Sequence, residues 1–185
     1  MASQGPLSPG TFADNTTPPF SSFAWQNKSN VSSDNGTYAT TNTEGASYYL
    51  VATNFGFSIP GGSSIDGIEF TIERKASDNS TSNFVTDYRA RVVKSDGSLG
   101  SVDKLYGLGF AKWPATDTAY TYGSSSDTWS ESWSSSDINN SNFGFALSVS
   151  VDGATTVASI DYIQCTVTYS AGGTQSNAIS FAHFA

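Results

Sequence analysis

The stretch Thr121–Val151, TYGSSSDTWSESWSSSDINNSNFGFALSVSV, decides how the rest of the chain is read. In its second half, Phe143, Phe145, Leu147, Val149 and Val151 alternate with small residues. Side chains of an extended strand point alternately to opposite faces, so one face here is apolar and the other nearly without bulk. That is a sandwich strand with one face on a core. The first half is a Ser/Asp/Asn-rich loop that holds Asp127, Trp129 and Trp133, with Tyr122 at its start. A wet loop does not need two large aromatics for solubility. One reading is a surface for a glycan or a protein, formed by Tyr122, Asp127, Trp129 and Trp133. The other folds the tryptophans back as anchors that plug the end of the sandwich.

Strand signals dominate the rest of the chain. Tyr48 to Ala52 is a mostly apolar run, and Phe55, Phe57 and Ile59 then alternate up to the turn Pro60-Gly61-Gly62. Ile68, Phe70 and Ile72 oppose Glu69, Thr71 and Glu73; Tyr88, Ala90 and Val92 oppose Asp87, Arg89 and Arg91. Polar loops are read at Asp78-Asn79-Ser80 and Ser95-Asp96-Gly97. Leu105 to Trp113 is a weaker strand stopped by Pro114. Asp152-Gly153 reads as a tight hairpin signal, followed by a strand with Ile163, Cys165, Val167 and Tyr169 on one face. Helical periodicity is limited to a turn or two near Ser136 to Asn140. Seven or eight strands spaced by turns predict an all-β antiparallel sandwich of jelly-roll type. No fixed-period repeat points to a propeller or solenoid.

Composition narrows the functional classes. The chain has 185 residues, 13% of them charged and 14% aromatic, enough for one domain with a real core. Its net charge is -8, and no Lys or Arg follows Lys112, so it lacks the basic patch that nucleic acid requires. Cys165 is the single cysteine and reads as a small core residue; no internal disulfide can form. The N-terminus MASQGPLSPG lacks a signal-peptide pattern, and no segment has the apolar length of a membrane helix. The N-x-S/T sequons are those expected by chance in a chain so rich in Asn, Ser and Thr.

The ends differ from the middle. Pro6, Pro9, Pro18 and Pro19 fall in the first nineteen residues, with Phe20 close behind, and read as an extended arm over residues 1–22. A sandwich domain follows over 23–170. Beyond Gly172-Gly173 the tail of 171–185 carries Ile179, Phe181 and Phe184, apolar side chains that must fold back or dock on a neighbour.

Catalytic chemistry finds little support. The one histidine, His183, lies two residues from the last, and no serine sits in a G-x-S-x-G elbow. Asp127, Glu131 and Asp137 share the tryptophan loop, as paired carboxylates do in sugar-cleaving sites, but spacing alone is weak evidence. Asp127, Asp137 and Asn139 offer oxygen ligands for calcium without the regular loop string, and no Cys/His set exists for zinc. Trp25 and Trp113 read as core or edge plugs. The expectation is a non-enzymatic protein with no metal and no cofactor.

Several fragments, in order, carry a resemblance. They are Trp25; Asp34-Asn35-Gly36-Thr37-Tyr38-Ala39-Thr40; Leu50-Val51-Ala52-Thr53-Asn54-Phe55-Gly56-Phe57-Ser58-Ile59-Pro60; Ile65-Asp66-Gly67-Ile68; Tyr122-Gly123 with Trp129; Asp137-Ile138-Asn139 before Phe143-Gly144; and Asp161 to Tyr169. Together they resemble a family of phage and prophage virion β-sandwich domains. The resemblance implies a virion component with no catalytic residues. A capsid decoration (cement) protein on the outer capsid surface fits it, with the major capsid protein or other virion subunits as partners and a homo-oligomer, dimer or trimer, as the assembled form. Alternatives are a tail, neck or baseplate protein, or a glycan-binding host-adsorption module using Trp129 and Trp133. The terminal arms are expected to clamp neighbouring subunits.

Overall fold

The computed structural model describes residues 1–16, 21–105 and 111–172. Eleven strands run in chain order: β1 (Ala2–Leu7), β2 (Thr11–Asn15), β3 (Ser21–Phe23), β4 (Ala39–Thr41), β5 (Gly45–Ser47), β6 (Tyr49–Thr53), β7 (Ser64–Ala76), β8 (Phe84–Val93), β9 (Thr118–Ser124), β10 (Gly144–Asp152) and β11 (Ala158–Ser170). One sheet has the order β1-β11-β7-β9, with β4 also on β11; the other runs β2-β6-β10-β5-β3, with β8 on β10. From β6 onward each strand crosses to the opposite sheet. That winding makes the chain an all-β antiparallel sandwich of jelly-roll type.

The alternation read from the sequence builds this core. Ile68, Phe70 and Ile72 of β7 face Phe145, Leu147, Val149 and Val151 of β10, and all seven are fully buried. Phe70 and Phe145 lie 4.8 Å apart between ring centroids. Trp25, Trp113 and Cys165 join the same core, as their positions implied. The small-residue face of β10 is covered too: Ala146 packs with Tyr49 and Val93 on the outside of the sheet.

The structure corrects four local expectations. First, the N-terminal segment is not an arm. Ala2 to Leu7 pair antiparallel with Tyr169 to Cys165, and Thr11 to Asn15 with Thr53 to Tyr49. The segment therefore belongs to both sheets, and the sandwich begins near Ala2 rather than at residue 23. Pro6 is tolerated because β1 is an edge strand, where a missing N–H costs no ladder bond. Pro9 is buried, and Leu7 and Phe12 pack on the core. Pro18, Pro19 and Phe20 lie outside the described residues, as do Ile179, Phe181, His183 and Phe184 of the tail.

Second, Asp152-Gly153 does not close a hairpin, since β10 and β11 lie in different sheets. Their apolar faces look at each other across the core, so the connection must arch between the layers. Third, Phe55 to Ile59 forms no ladder, because Asn54 and Gly56 take φ of 61° and 74°. Phe55, Phe57 and Ile59 still point inward. The Asn139 side chain stands in for a strand partner: its Oδ1 accepts from Ile59 N at 2.7 Å, and its Nδ2 donates to Ile59 O at 2.9 Å.

Fourth, the alternation on β8 changes phase. Arg89 opposes Ser148 and Asp87 opposes Val149, which leaves Tyr88 as an extra residue in a bulge. Ala90 and Val92 face the core as expected. Below the bulge it is Asp87 and Val85 that are buried, with Tyr88 only half-buried. The weak strand expected over Leu105 to Trp113 falls partly outside the described residues. Within them, Lys112 bridges Thr86, and Trp113 N donates to Val85 O at 2.8 Å.

Candidate functional site

The tryptophan loop leaves β9 and returns to β10 by way of a single helical turn, α1 (Ser135–Ile138). Its path is set by Asp127, whose carbonyl accepts from Ile68 N at 2.9 Å and whose Oδ1 accepts from Trp129 N at 2.8 Å. Trp129 and Ser130 then adopt φ of 59° and 55°. Two consecutive left-handed residues reverse the chain and aim the indole inward. Trp129 is 0% exposed, its Nε1 donates to Ile68 O at 3.0 Å, and its ring stands edge-on to Phe70 and Phe145. Trp133 is half-buried, edge-on to Phe143 at 5.5 Å, with Nε1 donating to Thr128 O at 2.8 Å. Of the two sequence readings, the anchor reading describes these side chains. They do not form an exposed stacking platform.

The polar members of the loop are likewise engaged. Asp127 Oδ2 is 2.6 Å from Lys104 Nζ, and that ammonium also lies 5.2 Å from the Trp129 ring centroid. Glu131 Oε1 accepts from Ser101 N at 3.0 Å. Asp137 closes a capping box with Ser134 at the start of α1 and accepts from Ser95 Oγ at 2.6 Å. Those Ser134 and Ser95 bonds favour the ionised form and hold the Asp137 carboxyl below its ordinary value. Each of the three carboxylates is thus engaged by a different neighbour, Asp127 by Lys104, Glu131 by Ser101 and Asp137 by Ser134 and Ser95.

Tyr122 belongs to a different cluster, one the sequence reading did not identify. Arg74 occupies the inward phase of β7, after Ile68, Phe70 and Ile72, and both it and Asp87 are about 1% exposed at the side chain. Arg74 Nη1 donates to Asp87 and to the Tyr122 hydroxyl. Tyr122 Oη donates to Asp87 Oδ2 at 2.8 Å, and Trp113 Nε1 donates to Asp87 Oδ1 at 2.8 Å. The guanidinium also faces the Tyr120 ring at 4.2 Å and the Trp113 ring at 4.7 Å. Burial pushes the Tyr122 phenol well above its ordinary pKa, and the neighbouring Asp87 charge adds to this. A charge pair so completely enclosed has no access to a substrate; it ties the sheets together. Arg74 was legible from the period of two, but Asp87 was hidden by the bulge at Tyr88.

A third cluster surrounds Asp161, the extra residue in a bulge of β11, where Ile160 opposes Arg74 and Tyr162 opposes Glu73. Asp161 is 2% exposed, and its two oxygens accept from Asn35 N at 3.3 Å and Gly36 N at 2.9 Å. The Asp34-Asn35-Gly36-Thr37 turn is thereby clasped to a strand more than a hundred residues away. Ligand atoms of Asp34, Glu73 and Asp161 lie within 4.8 Å of one another, the geometry a cation could use. The Glu73 carboxyl is raised, first by partial burial and then by the charges of Asp34, Asp117 and Asp161.

No protein-family model matches the chain, and no curated protein does. Among solved structures it is similar to one described as "CBM4 structure and function", with a TM-score of 0.42 and 15% identity over 69% of this chain and 80% of that one. That likeness bears on neither ligand nor role.

Proposed function

We propose that this chain is a non-enzymatic structural subunit of a phage particle, of the capsid-decoration kind, held to neighbouring virion proteins by its C-terminal segment. The observation that carries this reading is the contrast between body and tail. Among the described residues, Met1 is the one large hydrophobic side chain that stands exposed. The sequence beyond Gly172 nevertheless contains Ile179, Phe181 and Phe184. Described faces with so little exposed apolar surface gain little from docking, whereas apolar side chains on a connected segment add buried area where they meet a neighbour.

Topology supports the same reading. β1 and β11 are antiparallel with Ala2 opposite Tyr169, so the chain begins and leaves the sandwich at one end. Gly172 is packed against the backbone of Gly62 in the adjoining turn, which fixes the exit point. In this scheme the sequence beyond Gly172 meets neighbouring subunits, and many symmetric copies multiply a modest interface. Because residues 2–15 are folded into both sheets, the N-terminal side no longer serves as a clamp in this scheme.

The test is co-sedimentation with shells of the cognate major capsid protein, using the full chain and a variant with Ile179, Phe181 and Phe184 all changed to Ser. The full chain should saturate the shells and raise their melting temperature, and the variant should lose most occupancy while its own unfolding is unchanged. Equal occupancy for both proteins, or no binding by either, would overturn the proposal.

A further inference from the structure

We propose that Asn35 is a self-modification site, at which the folded chain drives its own side chain onto the Gly36 nitrogen and converts Asn35 to aspartate and isoaspartate. Asn35-Gly36 is the sole Asn-Gly pair in the chain. Both residues are exposed, and Gly36, at φ 73°, has open space where a Cβ would stand. The nitrogen is therefore unshielded from the side chain before it.

Each component of the reaction has a partner in place. Gly36 N donates to Asp161 Oδ2 at 2.9 Å. An amide nitrogen attacks through its π face while its proton lies in the peptide plane, so this carboxylate can accept the proton without blocking the attack. Thr37 N and Thr37 Oγ1 both donate to Asn35 Oδ1, at 2.9 and 2.5 Å. This turn folds the side-chain carbonyl back over the Asn35–Gly36 peptide. The same two donors polarise the carbonyl and would hold the oxyanion that forms on it. Asn35 Nδ2 donates to Ser33 Oγ at 2.9 Å, which places a hydroxyl at the leaving group.

In the step, the bond from Gly36 N to Asn35 Cγ forms as the proton passes to Asp161. The Cγ–Nδ2 bond then breaks, and ammonia leaves with a proton returned to it. Water opens the resulting five-membered imide at either carbonyl, giving aspartate or isoaspartate. The new carboxylate stands beside Asp34 and Asp161, and like-charge repulsion loosens the clasp between this turn and β11.

Peptide mapping by mass spectrometry, on the full chain kept at neutral pH either folded or unfolded in urea, tests this. Folded protein should convert Asn35 about a hundredfold faster than unfolded protein, the lower end of the range for a positioned general base. Asp161→Asn and Thr37→Val should each remove most of that gain. Thr37 is exposed, so its variant keeps the fold and decides the matter if Asp161→Asn does not. A folded rate no faster than the unfolded one overturns the proposal, and so does a fast folded rate that Thr37→Val leaves unchanged.

Discussion

Replacing Asp87 by Asn removes one charge from a pair whose side chains are each about 1% exposed, with almost no change in shape. The amide oxygen still accepts from Trp113 Nε1, so the lost quantity is the countercharge to Arg74. Breaking a buried pair from one side costs about 3–5 kcal/mol, because the remaining charge cannot be hydrated. Stacking of the Arg74 guanidinium on Tyr120 and Trp113 offsets part of this, which favours the lower half of that range. In a chain of 185 residues each kcal/mol moves the melting temperature by about 2–4 °C, so a fall of roughly 6–16 °C is expected. Urea unfolding should show a lower midpoint at an unchanged slope. Arg74→Met alone leaves the Asp87 carboxylate buried without its countercharge, although Trp113 and Tyr122 still donate to it. The double variant should therefore be less destabilised than the sum of the singles, by about 2 kcal/mol or more. A cost below about 1 kcal/mol for Asp87→Asn, together with additive singles, would refute the claim that this pair ties the sheets together.

Alkaline pH is expected to weaken the fold. Burial raises the Cys165 thiol and the Tyr122 phenol well above their ordinary values of 9.0 and 10.0. The unfolded chain loses these protons near the ordinary values while the folded chain keeps them. Stability is thus at its full value below pH ~9 and falls above it, by at most about 1.4 kcal/mol per pH unit for each group. Urea midpoints across this range should show the fall, and Cys165→Ala should delay its onset; midpoints that stay level to pH ~11 would contradict the assignment. The loop tryptophans should separate in thermal melts. Trp129→Ala should cost about 3–5 kcal/mol as a core cavity, and the half-buried Trp133→Ala about 1–2 kcal/mol. Equal, small losses would mean that Trp129 does not anchor the loop.

The sandwich itself could be read from the chain because its signal is local. Ile68-Glu69-Phe70-Thr71-Ile72 and Phe143 to Val151 repeat every second residue, and such a pattern has few ways to bury itself other than as facing sheets. The helical turn near Ser136 and the turns at Pro60 and Asp96 were legible for the same reason, since their partners lie within a few residues. The N-terminal strands were not. Ala2 to Leu7 includes Gly5 and Pro6 and shows no period; it becomes a strand because β11 offers it an edge.

The candidate sites divide along the same line. Phase placed Ile68, Phe70 and Ile72 on the inward face and Cys165 in the core. Only the fold determined that a bulge at Tyr88 would carry Asp87 to Arg74, that two left-handed residues would turn Trp129 inward, and that Asp161 would meet Gly36. Periodicity along a strand specifies which face a side chain takes. Which strand lies opposite, and where a single extra residue reverses that face, depends on packing between segments far apart in the chain.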